Sequence, residues 1–160
     1  GEKRLINTFR FYVSGTLNNN MNFNNETSYT LQNAYNAIES YSENIFFYSA
    51  NIFWQWPKTS LSSGGNYTHT SRYNSDVVRT SFVSFNNNIS RVLTKRASMN
   101  IHSTWTKDSE NKRAFNIHPI LNWSLQQVTF NLEYNYRINT APNMPATTEH
   151  GIFVRATRRF

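Results

Sequence analysis

Apolar and polar residues alternate one by one along most of this chain. From Val128 to Asn139 the alternation has no fault: Val128, Phe130, Leu132, Tyr134, Tyr136 and Ile138 fall on one side, and Thr129, Asn131, Glu133, Asn135, Arg137 and Asn139 on the other. The segment before it repeats the pattern with Phe115, Ile117, Pro119, Leu121, Trp123 and Leu125, broken only by Ile120. Successive side chains of a β-strand point to opposite faces, so a period of two predicts strands with one apolar and one polar side. The same reading gives strands through Ala97, Met99, Ile101 and Trp105; Val83, Phe85, Ile89 and Leu93; and Phe46, Tyr48, Ala50, Ile52, Trp54 and Trp56. It also gives Met21, Phe23, Tyr29, Leu31 and Tyr35; Leu5, Phe9, Phe11, Val13 and Leu17; and, last, Ile152, Val154, Ala156, Arg158 and Phe160. With the weak segment Leu61 to Arg72 included, nine strands and no helix are expected.

Apolar faces must stay on one side of a sheet across each turn, which constrains the pairing. Leu125 can face Val128 over Gln126-Gln127, setting Trp123 opposite Phe130. Leu93 can face Ala97, pairing Ile89 with Ile101 and Phe85 with Trp105; Trp56 can face Leu61; Leu17 can face Met21, setting Gly15 opposite Phe23. These four short turns share one rim. The connections near Glu39 to Glu43, Asn74 to Asp76, Lys107 to Arg113 and Thr140 to Glu149 share the other and are mostly longer and more polar.

A soluble β-sandwich also alternates, but its strands are usually about 5–6 residues with turn signals every 8–12. Here one strand falls in about every 18 residues of a 160-residue chain, long enough for the ~9–11 residues of a tilted membrane strand. Aromatic residues gather toward both ends of the strands: Trp54, Trp56, Trp123 and Phe130 beside the short turns, and Trp105, Phe115 and Tyr136 toward the opposite rim. Amphipathic rings are stable where headgroups meet hydrocarbon, so these read as two aromatic girdles. The expected fold is therefore all-β: an antiparallel up-and-down transmembrane β-barrel in one domain, residues 1–160, with a soluble β-sandwich binding module as the rival.

Composition agrees with one greasy and one wet face. Hydrophobic residues make up 38%, charged residues 16% and aromatics 16%, with Asn, Ser and Thr filling the gap. The absence of cysteine excludes disulfides and cysteine-ligated metals. The net charge of +7 is scattered as pairs such as Lys95-Arg96 and Lys112-Arg113, without the long basic run of a nucleic-acid binder, so no nucleic-acid partner is expected.

The segment His150-Gly151-Ile152-Phe153-Val154-Arg155-Ala156-Thr157-Arg158-Arg159-Phe160 resembles the terminal strand of Gram-negative outer-membrane β-barrel proteins, with Ile152, Val154, Ala156 and Phe160 at its matching positions. The Asn, Ser and Thr-rich strands are also similar in style to porin-like barrels found beside exopolysaccharide or cytochrome systems. The resemblance implies a place in the bacterial outer membrane, with the barrel-assembly machinery reading that strand as an assembly signal. It also implies outer-membrane lipids and lipopolysaccharide as surroundings, and puts the short turns at the periplasmic rim. Single-chain barrels of this kind have even strand numbers. Nine strands therefore suggest the C-terminal portion of a larger barrel, an arm in place of the first strand, or a miscount at Leu61 to Arg72.

No nucleophile elbow, phosphate-cradling glycine loop or carboxylate pair stands out, and the expectation is a non-enzyme without cofactor. Arg10, Arg137 and Arg155 fall on the wet face, with Glu26 and Glu133 as partners, and give an open lumen a mildly positive field or stiffen a closed one. His102 and His118 pair across a hairpin on that face. Two imidazoles could ligate a metal, but the bland reading is lumen polarity. Arg72, Arg79, Lys107, Lys112 and Arg113 lie toward the outer rim. The function expected is a porin-like passive channel or its C-terminal segment, with a filled-lumen scaffold barrel binding a partner as the alternative.

Overall fold

A computed structural model describes residues 3–35, 40–74 and 76–158. It contains nine strands: β1 (Lys3–Asn18), β2 (Met21–Tyr35), β3 (Ser40–Gln55), β4 (Thr59–Tyr73), β5 (Val77–Thr94), β6 (Ala97–Asp108), β7 (Arg113–Leu125), β8 (Val128–Thr140) and β9 (Thr147–Arg158). They form one antiparallel sheet in chain order, each strand paired with the next. Among the described residues β1 and β9 are not paired with each other, so the sheet is not closed. At 12–18 residues the strands are two to three times the ordinary length of about 5–6.

The register follows the alternation. Gly15 faces Phe23, Ile89 faces Ile101, Phe85 faces Trp105, His102 faces His118 and Trp123 faces Phe130, as the pattern predicts. Three turns differ in detail. Asn18 pairs with Met21 and Thr94 with Ala97, because bulges at Leu17 and Leu93 absorb one residue each. Asn18 and Thr94 then accept hydrogen bonds from the amides of Asn20 (2.9 Å) and Arg96 (3.1 Å) across the tightened turns. At the third, Leu61 faces Trp54 instead of Trp56, whose amide donates to the Thr59 carbonyl (2.7 Å) and closes the turn itself. The weak segment is a full strand, β4, held on both edges by complete ladders.

The rims differ less than expected. At the far rim the β6–β7 turn is short and tied by Asp108, whose Oδ1 accepts from the Glu110 and Lys112 amides at 2.9 Å each. The connection over residues 141–146 is the longest among the described residues. Within β7, Pro119 lacks an N–H, and the β7–β8 ladder lapses at His118 and Pro119 without changing register.

Among the described residues there is no apolar core. Ala34 is the one buried hydrophobic residue among those described, while Phe9, Phe11, Ile152 and Val154 are each at least two-thirds exposed. In β7 and β8 the relation of a soluble protein is inverted. Leu121, Trp123, Leu125, Phe130 and Leu132 are exposed, and Asn122, Ser124, Asn131 and Glu133 between them are partly covered.

Candidate functional site

The polar face is built from alternate residues of all nine strands, and its centre is a lattice of amides and hydroxyls. One ladder row runs Tyr12, Glu26, Ser49, Asn66, Ser84, Thr106, Ala114, Asn139 and Thr147. Ser49 and Ser84 in this row are buried, and Asn66 Nδ2 donates to Ser84 Oγ at 3.5 Å. One step along, Asn51 Nδ2 donates to Asn24 Oδ1 (2.9 Å) over Gly64, where a Cβ would collide with the Asn51 amide. Asn131 Nδ2 donates to Asn122 Oδ1 (3.0 Å) at the far side of the sheet. These contacts tie neighbouring strands through side chains as well as backbone.

Charge on this face comes in local pairs. Arg10 Nε lies 3.9 Å from Glu26 Oε1, with the arginine 74% exposed, so by itself the pair contributes about 0–1 kcal/mol. Arg137 faces Glu149 across the ladder and donates from Nε to Asn139 Oδ1 (3.1 Å). Arg155 faces Asn131. His118 Nε2 is 3.4 Å from Glu133 Oε2, so the expected opposition of His102 and His118 is present while one imidazole is engaged by a carboxylate. Among the described residues no three His, Cys, Asp or Glu side chains are grouped to hold a metal. Beside His118, the Oδ1 atoms of Asn116 and Asn135 are enclosed without a hydrogen-bond partner, next to the lapse in the ladder.

Sequence reasoning undercounted the acidic side chains. Arg72, read as a rim residue, stands on the polar face with its guanidinium 4.2 Å over the Tyr41 ring and opposite Glu43. Glu43, Asp108 and Glu149 join Glu26 and Glu133, so five carboxylates stand with Arg4, Arg10, Arg72, Arg137 and Arg155 on this face of the strands. Strand parity places all of them on this face once the strands are extended to their observed ends. The polar face is thus close to charge-balanced.

The apolar face carries the aromatic residues expected of it. Trp54 and Trp56 stack at 4.4 Å beside the β3–β4 turn, and Trp123 lies 6.2 Å from Phe130 beside the β7–β8 turn. Toward the other rim Trp105 lies 5.7 Å from Phe85, and Tyr136 lies 5.1 Å from His150, whose Nδ1 is also 3.2 Å from the Tyr134 hydroxyl. Ile152, Val154 and Ala156 share this face of β9, opposite Tyr134, Leu132 and Phe130. Phe160 lies outside the described residues. A cavity of about 360 Å³ sits at the far rim, where Met144 and Pro145 of the last loop meet Thr106, Asn139 and Thr147.

No family model matches the chain, and no curated protein sequence matches it. Among solved structures it is similar to one described as "NanC porin structure in rhombohedral crystal form", with 11% sequence identity, a TM-score of 0.46, and coverage of 100% of this chain and 98% of that chain.

Proposed function

We propose that the nine strands form the wall of a transmembrane β-barrel in a bacterial outer membrane, acting as a porin-like passive channel without enzymatic activity. The observation that carries this reading is the inverted distribution of side chains: among the described residues most of the exposed large hydrophobic side chains, Phe9, Phe11, Phe85, Trp123, Leu132, Ile152 and Val154 among them, stand on the apolar face, while many side chains of the polar face are partly covered. In water such an apolar surface is far beyond what a monomer tolerates. In hydrocarbon it is the stable arrangement, with the ladders between consecutive strands satisfying the backbone except at His118 and Pro119 and along the outer edges of β1 and β9.

The stagger of the ladders supports a barrel wall. Following the row from Tyr12, Thr147 at the start of β9 lies nine residues further along than Lys3 at the start of β1. With ~3.4 Å per residue and ~4.8 Å between strands, eight steps give a tilt of about 30–40°, near the 35–45° at which sheets close. After eight antiparallel steps β1 and β9 run parallel, so closure takes either a parallel seam or intervening strands.

A balanced polar face argues for weak ion selectivity. The mildly positive field expected from three arginines against two glutamates gives way to five arginines against five carboxylates on that face. The test is planar-bilayer recording of the purified chain in detergent. Conductance with a near-zero reversal potential in a salt gradient is expected. Insertion without conductance would favour the filled-lumen scaffold, and solubility as a monomer without detergent would end the membrane reading.

A further inference from the structure

The two faces of the sheet divide the charge unequally. Every carboxylate of the described strands is on the polar face, whereas the apolar face carries Arg79, Arg91, Lys107, Arg113 and Arg158 and no acid. Lys107 and Arg113 are the sharpest case. They are directly opposite each other in the β6–β7 ladder, at its last pair before the turn. Like charges so placed repel and destabilise a sheet. Neighbouring acids do not relieve them: Asp108 points to the other face and ties the turn amides, and Glu110 pairs with Lys112, raising that lysine's pKa above its ordinary value. Neither Lys107 nor Arg113 has a side-chain partner among the described residues.

The next pair inward on the same face is Trp105 and Phe115, with Phe85 packed on the indole. Two unpaired cations at a strand end above an aromatic pair and then an apolar surface reproduce, in order, the chemistry of headgroup, interface and acyl chain. Resting on the membrane reading, we infer that Lys107 and Arg113 form a binding site for the phosphate of an anionic membrane lipid, whose acyl chains lie along Trp105, Phe115 and Phe85. A phosphate between them converts a repulsive pair into two charge-assisted contacts, one a guanidinium fork.

The experiment reconstitutes the full chain in phosphatidylcholine vesicles with and without phosphatidylglycerol and follows thermal unfolding by circular dichroism. Phosphatidylglycerol should raise the midpoint of the wild type, and Lys107→Gln with Arg113→Gln should cut that rise at least twofold. Lys107→Glu supplies an internal partner for Arg113, so it should raise the midpoint in pure phosphatidylcholine and abolish the response to phosphatidylglycerol. An equal rise in wild type and both variants would overturn the site. So would an equal rise from inorganic phosphate in neutral detergent micelles, which would assign the pair to a soluble anion. Failure of the chain to enter vesicles would instead count against the membrane reading, and insertion with no lipid response against this site alone.

Discussion

Leu132 and Asn131 are adjacent in sequence and meet different surroundings. Leu132 stands between Leu121 and Val154 on the apolar face and is 44% exposed; Asn131 hydrogen-bonds Asn122 on the polar one. An arginine at Leu132 should therefore cost about 2–4 kcal/mol of unfolding free energy in a bilayer, the penalty for a cation near mid-membrane on the lipid side. At Asn131 an arginine should cost less, because its charge reaches water: the Asn122 contact is lost, and Arg155 directly opposite adds a repulsion that water screens. Equal losses in denaturant titrations from vesicles would refute the face assignment. Glycines follow the same logic: Gly15 and Gly65 on the apolar face are each covered by the cross-strand rings of Phe23 and Phe85, which a Cβ would meet at 2.9 Å. The pairing of Gly15 with Phe23 was legible beforehand, because both residues sit at fixed distance from one turn.

At the scale of the hairpin, the β7–β8 turn holds Gln126 in the left-handed region at φ 50°. That conformation costs a residue with a Cβ roughly 1–2 kcal/mol and costs glycine almost nothing. Gln126→Gly should thus stabilise the protein by up to about 1 kcal/mol after the entropy of the unfolded chain is counted, read as a raised denaturation midpoint with unchanged slope. A lowered midpoint would show that the glutamine side chain makes a contact that outweighs the strain. Much of the pairing at this scale was legible. Alternation fixes register only modulo two, however, so a shift by two residues leaves the pattern unchanged. The face of Trp54 and Trp56 was right, but nothing in the pattern says that Trp56 belongs to the turn and leaves Trp54 to face Leu61. Bulges at Leu17 and Leu93 are hidden for the same reason, since an extra residue beside a turn leaves the faces of both strands intact. The strand β4 was hardest to see, because Ser63, Gly65, His69 and Ser71 stand where an apolar residue would mark it, and its place is set by the strands on either side.

For the whole molecule, the decisive question is which medium bathes the apolar face. The polar residues of the candidate channel were largely legible as alternate positions, whereas their charge balance depended on Glu43, Asp108 and Glu149, which looked like loop residues until the strands were extended to their ends. The protein supplies its own reporter, for its four tryptophans, Trp54, Trp56, Trp105 and Trp123, all belong to the apolar side. The most direct measurement is tryptophan fluorescence of the unmodified chain in phosphatidylcholine vesicles, with bromine on the acyl chains as one quencher and aqueous iodide as another. Strong quenching by the brominated lipid and weak quenching by iodide are expected; strong iodide quenching with none from the brominated lipid would mean that the apolar face does not meet hydrocarbon, which would contradict the membrane reading.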